Sequence, residues 1–125
     1  MFELSIKTHF SAAHRLEGYD GPCANQHGHN WAVEVYVQGE SLNELGMLID
    51  FKDIKSAVRK AMEEVDHRDL NQLPAFMREN PTSENLARYL YEQLSGFLNS
   101  KMLKVSKVTV CETPGTTASY WSDGI

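Results

Sequence analysis

The sequence predicts an α+β fold: a four-stranded antiparallel sheet, ordered β-β-α-α-β-β along the chain, with two helices on one face. Three observations carry this. Stretches near both ends alternate apolar and polar residues with the period of two that a half-buried strand requires. Between them lie two segments whose apolar residues recur at helical spacing. Turn formers fall between these segments rather than within them. Hairpins at both ends with a helix pair between them favour antiparallel pairing and helices on a single face.

The first strand follows from Phe2, Leu4 and Ile6, continued by Thr8, Phe10, Ala12 and His14, all of one parity. Residues 17–26 carry Gly18, Asp20, Gly21, Pro22 and Asn25 and read as a loop. A second strand holds His27, His29, Trp31, Val33, Val35 and Val37 on one face. Gly39 and Gly46 bracket a turn region, and a short apolar segment, residues 47–51, leads into a helix. That helix is expected over residues 52–65, from the spacing of Ile54, Ala57, Val58, Ala61, Met62 and Val65, with Asp50 as N-cap. Residues 66–81, broken by Pro74 and Pro81, read as irregular. Thr82 caps a second helix, with Glu84 in the first turn and a stripe of Leu86, Leu90, Leu94, Phe97 and Leu98. Strands return over residues 103–112 and 116–122, joined by a turn at Pro114-Gly115.

At 125 residues the chain is expected to form one domain, 1–125. A formal charge of −5 argues against nucleic acid, whose phosphates require a concentrated positive patch. No apolar run approaches the ~18 residues of a membrane span. The opening residues alternate like a strand and lack signal-peptide organisation, so a cytoplasmic location is expected. There an unpaired functional thiol is favoured over a Cys23–Cys111 disulfide. A sheet of this kind leaves two open edges, and oligomerisation is one way to cover them.

The chemistry concentrates in Cys23-Ala24-Asn25-Gln26-His27-Gly28-His29. His27 and His29 stand two apart and share a strand face. If strands one and two pair antiparallel across the 17–26 loop, His14 joins them. Three imidazoles with an open position match a catalytic zinc site, and an imidazole set favours zinc over calcium or magnesium. The bland reading makes His14 a satisfied strand residue and His29 a turn cap. Cys23, in a Gly/Pro loop, is either a base or nucleophile activated by the metal, or a fourth ligand closing a structural site. Cys111, between Val110 and Glu112, reads as a small core residue. Asp66-His67 could be an orienting carboxylate with its imidazole, or Asp66 could simply cap a helix end. Glu112 shares parity with Val108 and Val110, so it is either a buried acid in need of a partner or an exposed strand end.

Taken together, these segments resemble the 6-pyruvoyltetrahydropterin synthase family. The pieces are Phe10-Ser11-Ala12-Ala13-His14-Arg15-Leu16, Cys23-x3-His27-Gly28-His29-Asn30, Gly46-Met47-Leu48-Ile49-Asp50-Phe51, Asp66-His67-x2-Leu70-Asn71, Asn80-Pro81-Thr82-Ser83-Glu84-Asn85 and Cys111-Glu112-Thr113. They fall in family order along nearly the whole chain. The three residues between Cys23 and His27, with the Asn80 to Asn85 motif, look like the bacterial 6-carboxytetrahydropterin synthase branch of queuosine synthesis. Val65 stands before Asp66 where the family usually has Leu, a conservative departure.

The resemblance implies zinc held by His14, His27 and His29. It implies Cys23 as general base, Asp66 and His67 as a proton-transfer pair, and Glu112 as anchor of the pterin 2-amino and N3 edge. Thr82 and Ser83 would line the pterin pocket. It implies a tunnelling fold, in which the sheets of three subunits close into a barrel, and a homohexamer with active sites between subunits. The implied reaction converts 7,8-dihydroneopterin triphosphate to 6-carboxy-5,6,7,8-tetrahydropterin with release of acetaldehyde and triphosphate, with Arg15 and the lysines available to the triphosphate. The alternatives are the pyruvoyl-forming synthase on the same scaffold, a zinc hydrolase, and a non-catalytic zinc-stabilised interaction domain. The hydrolase reading lacks a His-Glu-x-x-His helix and leaves Cys23 and Glu112 without tasks.

Overall fold

In the computed structural model, residues 1–122 are described. The last three positions of the expected 1–125 domain lie outside the described residues. Two 13-residue strands, β1 (Phe2–His14) and β2 (His27–Gly39), dominate the sheet. They pair antiparallel without a slip, from Phe2 opposite Gly39 to His14 opposite His27. This register keeps the large apolar residues Leu4, Ile6, Phe10, Trp31, Val33, Val35 and Val37 on one face. Helix α1 (Phe51–Glu63) and helix α2 (Ser83–Leu98) follow. Both expected caps form: Lys52 N–H donates to the Asp50 carboxylate (2.9 Å) and Asn85 N–H to the Thr82 hydroxyl (3.1 Å).

The sheet has five strands, not four, in the order β3-β1-β2-β4-β5. The addition is β3 (Arg68–Asp69), two residues parallel to β1 at Ala12 and Ala13. A two-residue strand has no periodicity to read. It forms because His67 adopts a positive φ of 58° and turns the chain onto the β1 edge. Its anchors are the Ser11 N–H donating to Asp66 Oδ1 (2.9 Å) and the His67 N–H donating to the Ser11 carbonyl (2.5 Å). The rest of the 66–81 stretch forms two short 3-10 turns, Leu70–Gln72 and Pro74–Phe76.

Strands β4 (Lys104–Thr113) and β5 (Thr116–Tyr120) complete the sheet, with Gly115 (φ 91°) at the turn between them. β2 pairs with β4 from Gln38 opposite Lys104 to Ala32 opposite Cys111, with a bulge at Tyr36 and Val37. Val33, Val35 and Val37 of β2 and Val105, Val108 and Val110 of β4 meet Ile54, Val58, Leu86, Leu90 and Leu94 of the helices in one core. Two expected core residues lie elsewhere. Cys111 alternates to the opposite sheet face from Val110, is half-buried, and donates its thiol to the Thr113 carbonyl (2.8 Å). Phe97, in the last turn of α2, is 48% exposed beneath the Lys60 ammonium. Neither cysteine forms a disulfide.

Candidate metal centre and active site

The β1–β2 register places His14 beside His27 and Ala12 beside His29, so all three imidazoles gather at one end of the sheet, on its helix-covered face. The β2–β4 register brings in a fourth group. With Ala32 opposite Cys111, Glu112 falls one step beyond, against the histidines. Its Oε1 lies 3.1, 3.9 and 2.8 Å from Nε2 of His14, His27 and His29. One potential ligand atom from each of the four residues lies within 4.8 Å of the others. The Trp31 ring packs edge-on against His14 and His29 (centroids 4.9 and 5.4 Å) and closes the apolar side.

Hydrogen bonds fix which nitrogens are free. His14 Nδ1 meets the Pro81 carbonyl at 2.7 Å, and His27 Nδ1 meets the Asn25 carbonyl at 2.7 Å. A carbonyl only accepts, so both Nδ1 atoms donate and both Nε2 atoms face the cluster, where His14 Nε2 also bonds Glu112 Oε1 at 3.1 Å. His29 Nε2 is buried and, despite its closeness to Glu112, meets no partner in hydrogen-bonding geometry. Burial pulls the His29 imidazole below its ordinary value, against the opposing attraction of Glu112. Three imidazole Nε2 atoms facing one point, one of them buried without a hydrogen-bond partner, are the donor set a zinc ion needs. His14 is the one fully buried ionisable side chain among the described residues.

The Cys23 sulfur is not in this cluster. Cys23 sits half-buried in a single 3-10 turn, Pro22–Ala24. The fourth group is therefore Glu112, and the closed Cys-His₃ site loses its thiol. The loop is nevertheless tied to the metal strand, because Leu16 N–H donates to the Cys23 carbonyl (2.9 Å). Asn71 bridges the backbone of Arg15, accepting its N–H (2.8 Å) and donating to its carbonyl (3.1 Å). Asn80 does the same for Glu17 (2.9 and 3.0 Å). Asn85 in turn donates to the Asn80 carbonyl (2.9 Å). These carboxamides hold the chain between His14 and Cys23. The sequence motifs contained them, but nothing local signals a bond across more than fifty residues.

Asp66 and His67 do bond each other, Oδ1 to Nδ1 at 3.0 Å. The Ser11 N–H holds the Asp66 carboxyl below its usual range, and His67 adds to this. The pair is not part of the ligand cluster. His67 has an 82% exposed side chain and opens onto a cleft of about 500 Å³. Ser11, Ala13, Gly28 and Asn30 line it from the sheet face opposite the metal ligands, and Ala12 and His29 from the ligand face, so the cleft wraps the metal end of the β1–β2 pair. On the β4–β5 side, a cleft of about 430 Å³ lies between the start of α2 and the edge strand. Ser83, Glu84, Glu112 and Thr116 line it, and Ser83 Oγ lies 3.4 Å from Glu112 Oε2. Thr82 spends its hydroxyl on the helix cap and is not among the lining residues. The Thr116 to Ser119 wall went unread in the sequence, since an edge strand of small polar residues carries no mark of binding.

Comparisons with known proteins agree with this geometry. The family described as 6-pyruvoyl tetrahydropterin synthase matches residues 3–123. A putative 6-carboxy-5,6,7,8-tetrahydropterin synthase of Archaeoglobus fulgidus is 38% identical over 87% of this chain and 86% of its own. The 6-carboxy-5,6,7,8-tetrahydropterin synthase of Haemophilus influenzae is 29% identical over 96% of this chain and 99% of its own. The solved 6-pyruvoyl tetrahydropterin synthase of Caenorhabditis elegans superposes with a TM-score of 0.88 at 32% identity, covering 98% of this chain and 96% of that one. The match runs through every segment that builds the histidine cluster and both clefts, and the chain belongs to the 6-pyruvoyl tetrahydropterin synthase family.

Proposed function

We propose that the protein is a zinc-dependent 6-carboxytetrahydropterin synthase, converting 7,8-dihydroneopterin triphosphate and one water to 6-carboxy-5,6,7,8-tetrahydropterin, acetaldehyde and triphosphate. The observation that carries the metal-dependent reading is the convergence of three Nε2 atoms on one point, two of them aimed by backbone carbonyls. The carboxy-forming product is favoured by the three-residue spacing between Cys23 and His27. Relatives named for either product are about equally similar to the chain, at 29 and 38% against 32% identity.

His14, His27 and His29 would hold zinc, which when bound supplies Lewis acidity and a template for the side-chain hydroxyls. The cleft beside Ser83 takes the pterin, and Glu112 reaches from the metal cluster into it. A carboxylate there accepts from the 2-amino and N3 donors of a pterin edge. Cys23 as thiolate removes a side-chain carbon proton, and His67, oriented by Asp66, transfers protons. The His67 side chain is 82% exposed, which leaves it available to a second copy in a homo-oligomer, with the family's hexamer as the proposed form.

Two measurements test this. Incubation with 7,8-dihydroneopterin triphosphate should yield acetaldehyde and a 6-carboxy product by mass; a 6-pyruvoyl product instead moves the protein to the other branch. Glu112→Gln should keep bound zinc while weakening pterin binding roughly 10- to 100-fold, the loss expected for hydrogen bonds to a charged group. Zinc loss in that variant would make Glu112 a ligand rather than an anchor.

A further inference from the structure

We propose that the cleft beside His67 is a polyphosphate site with Arg68 as its anchor, and that it takes the triphosphate of the substrate. This rests on the function proposed above. The carrying observation is an imbalance between engaged acceptors and unengaged donors. Asp66 already accepts from the Ser11 N–H and bonds His67. Asp69 accepts from the Asn71 N–H (3.2 Å). The Asn30 carboxamide oxygen accepts from the Ser11 hydroxyl (2.6 Å), which leaves its NH₂ to donate into the cleft. Among the described residues no carboxylate pairs with the Arg68 guanidinium. A cleft whose carboxylates are occupied, and whose guanidinium and carboxamide donors are not, suits an anion.

The backbone is prepared for this. Arg68 stands in β3, pinned to β1 opposite Ala12, so its guanidinium springs from a fixed base. The positive φ of His67 is the one such strain at a non-glycine residue among the described positions, and it is what delivers Arg68 to the cleft. Gly28 adds a separate mark. Its φ is not in the left-handed region, and a Cβ there would meet nothing within 4 Å. Neither backbone conformation nor packing calls for glycine. What a side chain would fill is the cleft floor.

Three other arginines are less suited. Arg15 pairs with Glu17 (3.1 Å) and Arg88 with Glu79 (2.8 Å), and Arg78 shares its cleft with both of those acids. To the expected Arg15 and lysines this adds Arg68 as the anchor, since Arg15 is already paired with Glu17. The cleft is lined by His29 of the metal cluster as well as by His67 and Arg68, so a triphosphate held there belongs to a pterin seated at a metal centre of the oligomer.

The test is calorimetric titration of the zinc-loaded protein with inorganic tripolyphosphate, which needs no turnover. Arg68→Gln should weaken tripolyphosphate binding roughly 10- to 100-fold, with Arg68→Lys restoring part of it and Arg78→Gln binding as the wild type does. KM for 7,8-dihydroneopterin triphosphate should rise by a similar factor in Arg68→Gln, while the affinity for dephosphorylated 7,8-dihydroneopterin stays unchanged. Unchanged tripolyphosphate binding in Arg68→Gln overturns the site, as does an equal loss in Arg78→Gln. Binding of GTP as tight as that of the pterin triphosphate overturns the assignment to the substrate. If instead the protein makes no tetrahydropterin yet Arg68→Gln still loses tripolyphosphate, it is the proposed reaction that fails and not the site.

Discussion

Cys23→Ala is expected to lower turnover by roughly 10²- to 10⁴-fold, the range a positioned proton-transfer group supplies, with zinc content and fold unchanged. The thiol is outside the ligand cluster, so its removal leaves all four candidate ligands in place. It also removes no core contact, since Cys23 is half-buried in a surface turn. The loop itself is held through backbone, by Leu16 N–H on the Cys23 carbonyl, and alanine keeps that bond. A drop in kcat with KM nearly constant is the expected form, because a base acts on the bound substrate. Zinc loss in a folded Cys23→Ala protein would instead make the sulfur a ligand.

The same variant tests the divided site. Cys23→Ala and His67→Ala chains should each be inactive alone, while oligomers assembled from both should recover activity. In such mixtures a Cys23 from one chain can meet a His67 from its neighbour. If both residues worked within one chain, no site in the mixture would hold the pair and activity would stay absent. The expectation rests on the proposed homo-oligomer with active sites between subunits and on the 82% exposure of the His67 side chain, which leaves it open to a neighbouring chain.

Much of this was legible in the sequence because it depends on short-range rules. Strict alternation from Phe2 to His14 and from His27 to Val37 set the faces of β1 and β2, and antiparallel pairing then forced the three histidines together. Asp50 and Thr82 announced their helices by capping chemistry that acts within three residues. What was illegible depends on distance. The position of Glu112 requires the β2–β4 register, which includes a bulge. The aim of His14 requires a carbonyl at Pro81, sixty-seven residues away. β3 exists only because Asp66 and His67 find Ser11. Phe97 shows a different limit: spacing gives an angle around a helix, not whether anything lies opposite its last turn. Cys111 was readable and misread, since the parity that points Val110 inward points its neighbour outward.

His27→Ala is the sharpest test of the metal centre. Loss of an outer-shell partner costs about 10- to 100-fold in metal affinity; loss of a direct ligand should exceed that, and turnover should fall with it. His27 is the best position to remove. His14 is 1% exposed and packed under Trp31, so its truncation would also leave a cavity and confuse metal loss with unfolding. The His27 side chain is 28% exposed and rests on one backbone carbonyl. The fold should persist without metal, because the apolar core runs from Ile6 to Val110 through both helices and meets the cluster only at its end, where Trp31 packs on His14 and His29. Each fully buried side chain there contributes roughly 1.5–3 kcal/mol. This separates the enzyme from a zinc-stabilised interaction domain, whose chain would unfold on chelation. Metal analysis and thermal unfolding of His27→Ala read both quantities at once. A folded variant stripped of zinc is the expected result, and full zinc occupancy would sink the three-histidine site.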